Sequence, residues 1–248
     1  MIREDDRLER MERLVGPKIY CYHSDRTMLY EVITTPISEQ LQKLLTSCNK
    51  RSALEQALRA LNPAKICALD MLLRKHRTKK IIVFCDSRQA AIILQRHIAS
   101  SHLLHGGVTD EARRTIVENF SCCDGGSILI CTRVCDAAID FPSGCIIIQL
   151  FSSCGSRQQE VQRAGRGSRG DGLTGSNVYH FVNEGTEEVE FVERRVRHMK
   201  ELFTVELKET TYSTNWEVAT RNEPLEYLIS QATTLKLPMQ TMGGKRKR

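Results

Sequence analysis

Between about residues 63 and 182, short apolar runs alternate with longer stretches of helical spacing. Ile66, Leu69, Leu72 and Leu73 recur at helical intervals and predict a helix over 63–77. A β-branched run predicts a strand over 80–85, and helical spacing returns over 88–99. Leu103-Leu104 marks a short strand, and Thr109, a good N-cap, opens a charged helix over 110–120. Residues 127–132 and 145–150 read as strands of the kind buried on both faces, 158–166 reads as a helix, and 177–182 as the last strand. Strands and helices in alternation predict an α/β fold, a parallel sheet with helices on both faces. Such sheets bind ligands at the carboxyl ends of their strands. Chemistry is therefore expected just after Phe84, Ile130 and Leu150.

The flanks read differently. Residues 1–16 are dense in charge, with only Leu8, Met11, Leu14 and Val15 as a thin apolar stripe. Residues 37–61 read as two short helices around Asn49-Lys50, and 187–203 as a charged helix that turns Val189, Val192 and Val196 inward. Beyond Tyr212 there is no firm periodicity. The terminal Lys245-Arg246-Lys247-Arg248 suits a nuclear-import or phosphate-contacting tail, or a plain solvated terminus.

Composition narrows the class. At 248 residues, 41% hydrophobic and 27% charged, the chain is an ordinary globular sequence. A net charge of +6 permits a polyanionic partner without requiring one. No run approaches the roughly 18 apolar residues of a membrane span, and the opening Met1-Ile2-Arg3-Glu4-Asp5-Asp6 is more charged than a secretory signal is expected to be. Several of the ten cysteines, among them Cys85, Cys131 and Cys145, fall within or beside apolar strands, as reduced buried thiols do. No C-x-x-C pair occurs, so no metal site is expected.

Three segments carry candidate chemistry. In Gln162-Arg163-Ala164-Gly165-Arg166-Gly167-Ser168-Arg169, positions 162, 166 and 169 share one helical face. An amide and two guanidiniums on one side suit a multiply charged phosphate; a basic surface helix running into a glycine-rich loop is the plainer alternative. The two glycines are easiest to explain if a backbone must come close to something, or bend, there. After the strand ending at Ile130, Thr132 is placed to hold a phosphate with its hydroxyl and free N–H groups. Asp136 and Asp140, at i,i+4, could cap, bind metal or accept from a ribose hydroxyl. After Phe84, either Asp86 or Ser87 would cap the next helix. No G-x-x-x-x-G-K-[S/T] loop is present, so any nucleotide chemistry is expected to be completed from outside this chain.

In order and content, Val83-Phe84-Cys85-Asp86, the segment from Thr132 to Asp140, and Gln162-x-x-Gly165-Arg166-x-x-Arg169 resemble motifs IV, V and VI of superfamily 2 helicases. The closer resemblance is to the xeroderma pigmentosum group B type. It is carried by Ile2-Arg3-Glu4-Asp5-Asp6, Leu14-Val15-Gly16-Pro17-Lys18-Ile19-Tyr20, Lys80-Ile81-Ile82-Val83-Phe84, Asp136 with Asp140-Phe141-Pro142, and Gly155-Ser156-Arg157-Gln158-Gln159-Glu160-Val161-Gln162-Arg163. Cys135 and Ala138 stand where glycine or a small polar residue is common in related helicases.

The resemblance implies a RecA-like C-terminal lobe over 63–211. It is preceded by a linker over 1–36 and a thumb-like helical insertion over 37–62, and followed by a tail over 212–248. It implies Arg166 and Arg169 as arginine fingers, with Gln162 beside them, on ATP and Mg²⁺ held mainly by a first lobe, and Asp140 near the nucleotide. Thr132, Arg133, Arg157, Asp86 and Arg88 would face DNA, and Arg3, Glu4 and Asp5 would act in strand separation. The implied protein is a nuclear 3′–5′ DNA helicase or translocase of repair and transcription, with partners among TFIIH-like subunits; this chain would be its C-terminal half, inactive alone as an ATPase. A non-catalytic module docking DNA or a protein is the alternative.

Overall fold

The computed structural model describes residues 24–50, 52–123, 125–136, 141–142, 144–152, 157–167 and 176–212, with Pro224, Glu226, Tyr227 and Ser230. Seven strands form one sheet: β1 (Ser24–Thr35), β2 (Ile81–Cys85), β3 (Ser101–Leu104), β4 (Ile128–Cys131), β5 (Ile146–Phe151), β6 (Ser176–Asn183) and β7 (Phe203–Thr211). Their order is β3-β4-β2-β5-β6-β1-β7, and every pairing is parallel. The helices are α1 (Glu39–Ser47), α2 (Ala53–Ala60), α3 (Pro63–Lys75), α4 (Arg88–His97), α5 (Asp110–Cys122), α6 (Arg157–Gly167) and α7 (Glu187–Leu202). None among the described residues is long and apolar enough to cross a membrane.

Alternation along each strand divides the core in two. In β2, Ile81, Val83 and Cys85 pack with Leu41, Leu58, Leu69 and Leu94 of α1–α4. Ile82 and Phe84 point the other way, toward Phe120, Ala164, Val192 and Val196 of α5–α7. Since both faces are covered, the central strands need apolar residues at consecutive positions. β2 and β5 are accordingly buried throughout. Caps end the helices as expected: Thr109 accepts from Ala112 N–H at 3.3 Å, and Ser87, not Asp86, caps α4 through Ala90 N–H.

The structure corrects the sequence reading at both ends of the lobe. Residues 24–35, assigned there to a linker, form β1, which lies inside the sheet between β6 and β7. β6 is not the last strand; β7 follows α7 and pairs with β1. Glu31 hid β1 by interrupting its apolar pattern. It is buried because Thr210 donates to it at 2.7 Å and Lys208 lies 3.1 Å away, both on β7. The two helices expected around Asn49-Lys50 are α1 and α2. They belong to the core layer, with Leu41, Ala57, Leu58 and Leu61 almost wholly buried.

Candidate functional site

β2 pairs with β4 on one side and β5 on the other. The chain therefore reverses direction across the sheet here, which opens a crevice at the carboxyl ends of the strands. Asp86 follows β2, a short 3-10 turn (Arg133–Asp136) follows β4, Ser152 follows β5, and α6 lies over the same crevice.

Arg163 of α6 joins these segments. Its Nη2 donates to Asp86 Oδ1 at 2.6 Å and to Asp136 Oδ2 at 3.1 Å. Nε donates to Asp136 Oδ1 at 2.7 Å, and Nη1 reaches Ser152 Oγ at 3.4 Å. The guanidinium lies 4.6 Å from the centroid of the Phe84 ring. The residue is 1% exposed. Burial works against its charge, but Asp86 first and then Asp136 more than offset this and push its pKa above the ordinary arginine value. Arg133 holds the second oxygen of Asp86 at 3.2 Å.

The face of α6 that meets the turn is Gln159, Arg163 and Arg166, spaced i, i+4, i+7. Gln159 donates to Asp136 Oδ2. Arg166 donates to the Asp136 carbonyl at 3.3 Å, lies 5.7 Å from the centroid of the Phe141 ring, and is 5% exposed. Gln162 stands on another side and is exposed. The sequence reading missed Arg163 and Gln159. The available signal was the second i, i+4, i+7 stripe, one that becomes informative only once Asp136 is known to lie beside it.

A second buried network sets the seat of α6. Tyr30 Oη donates to Glu160 Oε1 at 2.7 Å and lies 2.8 Å from His180 Nδ1. Gln149 donates to the same carboxylate oxygen, and Arg195 Nη1 lies 3.8 Å from the other. Burial opposes ionisation of Glu160, but His180, Arg195 and the Tyr30 hydroxyl hold its pKa down at about 2. Helix α6 is thus anchored by one acid to β1, β5, β6 and α7, and by one base to β2 and the turn after β4.

The remaining expected residues are placed as follows. Asp86 has no exposed side-chain surface and is held between two guanidiniums, so its carboxylate braces the crevice instead of offering a contact for DNA. Thr132 is buried, and its N–H is not free: it donates to the Leu104 carbonyl at 3.1 Å. Arg88 is exposed at the start of α4, beside a loop the sequence reading passed over. A Cβ at Gly107 would lie 2.9 Å from both Arg88 Nη2 and the His105 ring. Burial, and then Arg88, keep His105 below its ordinary pKa. Arg157 opens α6, but its side chain lies outside the described residues, as do Asp140, Arg169, Arg3, Glu4 and Asp5.

Of the two glycines expected at a close approach, only Gly167 makes one. A Cβ there would meet the Cys145 carbonyl at 3.0 Å, whereas Gly165 faces open space. Asp86 and Asp136 are both committed to Arg163. Among the described residues, the carboxylates that follow β2 and β4 are thus both engaged by one guanidinium.

A parallel sheet of this order, with motif-bearing loops at its carboxyl ends and a basic helix braced across them, defines the RecA-like C-terminal lobe of a helicase. The fold is shared with S. cerevisiae Dbp5 bound to RNA and ADP BeF3 (TM-score 0.59, 14% identity, 92% of this chain and 53% of that one). It is also shared with the E. coli DEAD-box protein SrmB bound to regulator of ribonuclease activity A (TM-score 0.53, 14% identity, 77% and 94%). The chain belongs to the ERCC3/RAD25/XPB C-terminal helicase family, whose model matches residues 25–229. Its relatives include the general transcription and DNA repair factor IIH helicase/translocase subunit XPB of Schizosaccharomyces pombe, 30% identical over 214 residues (79% of this chain, 26% of that protein). The corresponding XPB subunit of Enterocytozoon bieneusi is 29% identical over 214 residues (79% and 34%). The chain thus spans about a quarter to a third of the length of these relatives.

Proposed function

We propose that this chain is the second RecA-like lobe of an ATP-dependent DNA helicase or translocase that moves 3′ to 5′. In this reading it opens DNA for nucleotide excision repair and transcription initiation, within a TFIIH-like assembly in the nucleus. The names of its relatives support that setting. The observation that carries the reading is the Arg163 bracket, since one guanidinium ties the ends of β2, β4 and β5 to α6. A movement of α6 would then be felt at all three strand tips together.

In this reading Gln162, Arg166 and Arg169 face ATP held on a first lobe, and Asp140 lies near the sugar. Bound ATP with Mg²⁺ supplies the phosphoryl group whose developing charge the guanidiniums would stabilise. To act as a finger, Arg166 has to leave the Asp136 carbonyl and the Phe141 ring. Arg88, Arg133 and Arg157 would then hold DNA phosphates, with Thr132 beneath them, while 37–62 grips the strand and Arg3, Glu4 and Asp5 part it. A non-catalytic docking module is favoured by one observation, the burial of Arg166.

ATP hydrolysis separates the two readings, measured with and without single-stranded DNA for the chain alone and for the chain joined to a P-loop-bearing first lobe. The expected result is no turnover alone and DNA-stimulated turnover when joined. Arg169→Ala should lower that turnover by about 10³-fold or more while ATP binding survives. Turnover by the chain alone, or turnover indifferent to Arg169→Ala, would overturn the helicase reading.

A further inference from the structure

A cavity of about 780 Å³ opens beside the crevice, walled by the α1–α2 junction, the tips of β2 and β5, and the first turns of α7. That volume lies within the range of small-molecule sites. Its aromatic surfaces are Phe151 and Phe191. Each already has a cation beside it, Lys65 at 5.9 Å from the Phe151 centroid and Arg194 at 5.0 Å from that of Phe191. Three of its lining carboxylates are neutralised by partners: Glu55 by Arg59 at 2.7 Å, Asp86 by Arg163 and Arg133, and Glu188 by Lys65 at 2.8 Å. Besides Arg59, the cations of its lining are Lys50 and Arg133, the latter with a 55% exposed side chain.

One donor in this wall lacks an acceptor. Arg59 Nε is buried and has no hydrogen-bond partner among the described residues, although Nη2 of the same side chain is paired with Glu55. A buried unsatisfied N–H is costly and calls for an oxygen or ring nitrogen. Aromatic walls, an inward donor and cations at the mouth are together what an unstacked nucleobase with its flanking phosphates requires.

We propose that this cavity receives one unstacked base of a single-stranded nucleic acid. The base packs against the half-buried Phe191, above the buried Phe151, and accepts from Arg59, and its neighbouring phosphates lie toward Lys50 and Arg133. The proposal rests on the DNA-binding reading above and adds a base-recognition subsite to it. Glu187, at the α7 side of the cavity, directs the phosphates to the opposite wall.

The test is equilibrium binding of a labelled single-stranded DNA oligonucleotide and of the same strand carrying abasic sites. The intact strand should bind about tenfold more tightly, as loss of one base–aromatic stack implies. Phe191→Leu and Arg59→Met should each erase that gap between the two strands. Equal affinity of the native chain for the two strands, a comparison that needs no variant, overturns the proposal. So does a gap that survives either substitution. If neither strand binds at any salt concentration, the DNA-binding reading falls and takes the proposal with it.

Discussion

Arg163 and Asp86 meet at 2.6 Å with both side chains essentially shut off from solvent, joining the middle of α6 to the end of β2. A buried pair of this kind contributes little net stability, because desolvation of both charges offsets their attraction. What it supplies is register. The same guanidinium also holds Asp136, so the helix and two strand tips have one arrangement in which every charge is satisfied.

Removing the guanidinium alone should be severe. Arg163→Met leaves two carboxylates facing an apolar replacement, and a stranded buried charge typically costs about 3–5 kcal/mol. Urea unfolding should show a loss of that order, with Arg163→Lys in between because an ammonium cannot make the forked contacts. Adding Asp86→Asn to Arg163→Met should recover part of the loss. Strictly additive effects would show that the pair is not coupled.

Acid should loosen the seat of α6 before it unfolds weaker-coupled regions. Glu160 has its folded pKa depressed from 4.5 to about 2, so its stabilisation is full above pH 4.5 and is lost as pH falls toward 2. The loss is on the order of 3 kcal/mol. Burial lowers the pKa of His180, which faces Glu160, Tyr30 and Arg195, so its contribution also declines with acid, beginning as pH falls through 6.5. Stability measured against pH should therefore fall in two stages. Glu160→Gln should be less stable near neutrality and should flatten the lower stage; an unchanged lower stage would assign it to other carboxylates.

Among the strands readable from the sequence, β2 and β4 are apolar throughout and β5 at every position but Gln149, so their burial follows from their own composition. β1 was not readable, because burial of Glu31 depends on Thr210, 179 positions away. β7 alternates Phe203, Val205 and Leu207 with exposed Thr204, Glu206 and Lys208, a pattern its charges obscured. At the site, the basic helix and the three strand tips were found, but not the stripe of α6 that meets Asp136. Residues 162, 166 and 169 satisfy helical spacing as well as 159, 163 and 166 do, and spacing alone carries no information on which stripe meets Asp136. That choice is made by the sheet order, which brings the ends of β2 and β4 under α6.

The two glycines of α6 should respond oppositely to alanine. At Gly165 the new methyl enters open space, and the helix gains up to about 1 kcal/mol in propensity. At Gly167 it would lie 3.0 Å from the Cys145 carbonyl, 3.1 Å from Ser176 Cβ and 3.2 Å from Ile147 Cγ1. Backbone and core atoms cannot swing aside, so a loss of about 1–3 kcal/mol is expected. Parallel thermal melts decide it, and melting shifts of the same sign would contradict the placement of α6 against β5 and β6.

Lys65 and Glu188 should be unequal partners. Lys65 is fully buried; it donates to Glu188 at 2.8 Å and to the Leu150 carbonyl at 3.2 Å. Burial lowers its pKa despite the neighbouring carboxylate. Glu188 additionally accepts from the Asn183 backbone N–H at 2.8 Å and from its side-chain amide at 3.2 Å. Lys65→Met therefore leaves an acid that still has two donors, whereas Glu188→Leu strands an ammonium and the Asn183 backbone N–H and leaves the Asn183 amide only the Arg59 carbonyl. Chemical denaturation should show the Glu188 substitution to be the more damaging by about 1–3 kcal/mol, the usual penalty for further unsatisfied buried groups. The double variant should fall short of full recovery, since the Asn183 backbone N–H stays without its acceptor. Equal losses from the two single variants would mean that Asn183 finds another acceptor and that the ion pair alone holds α3 to the start of α7.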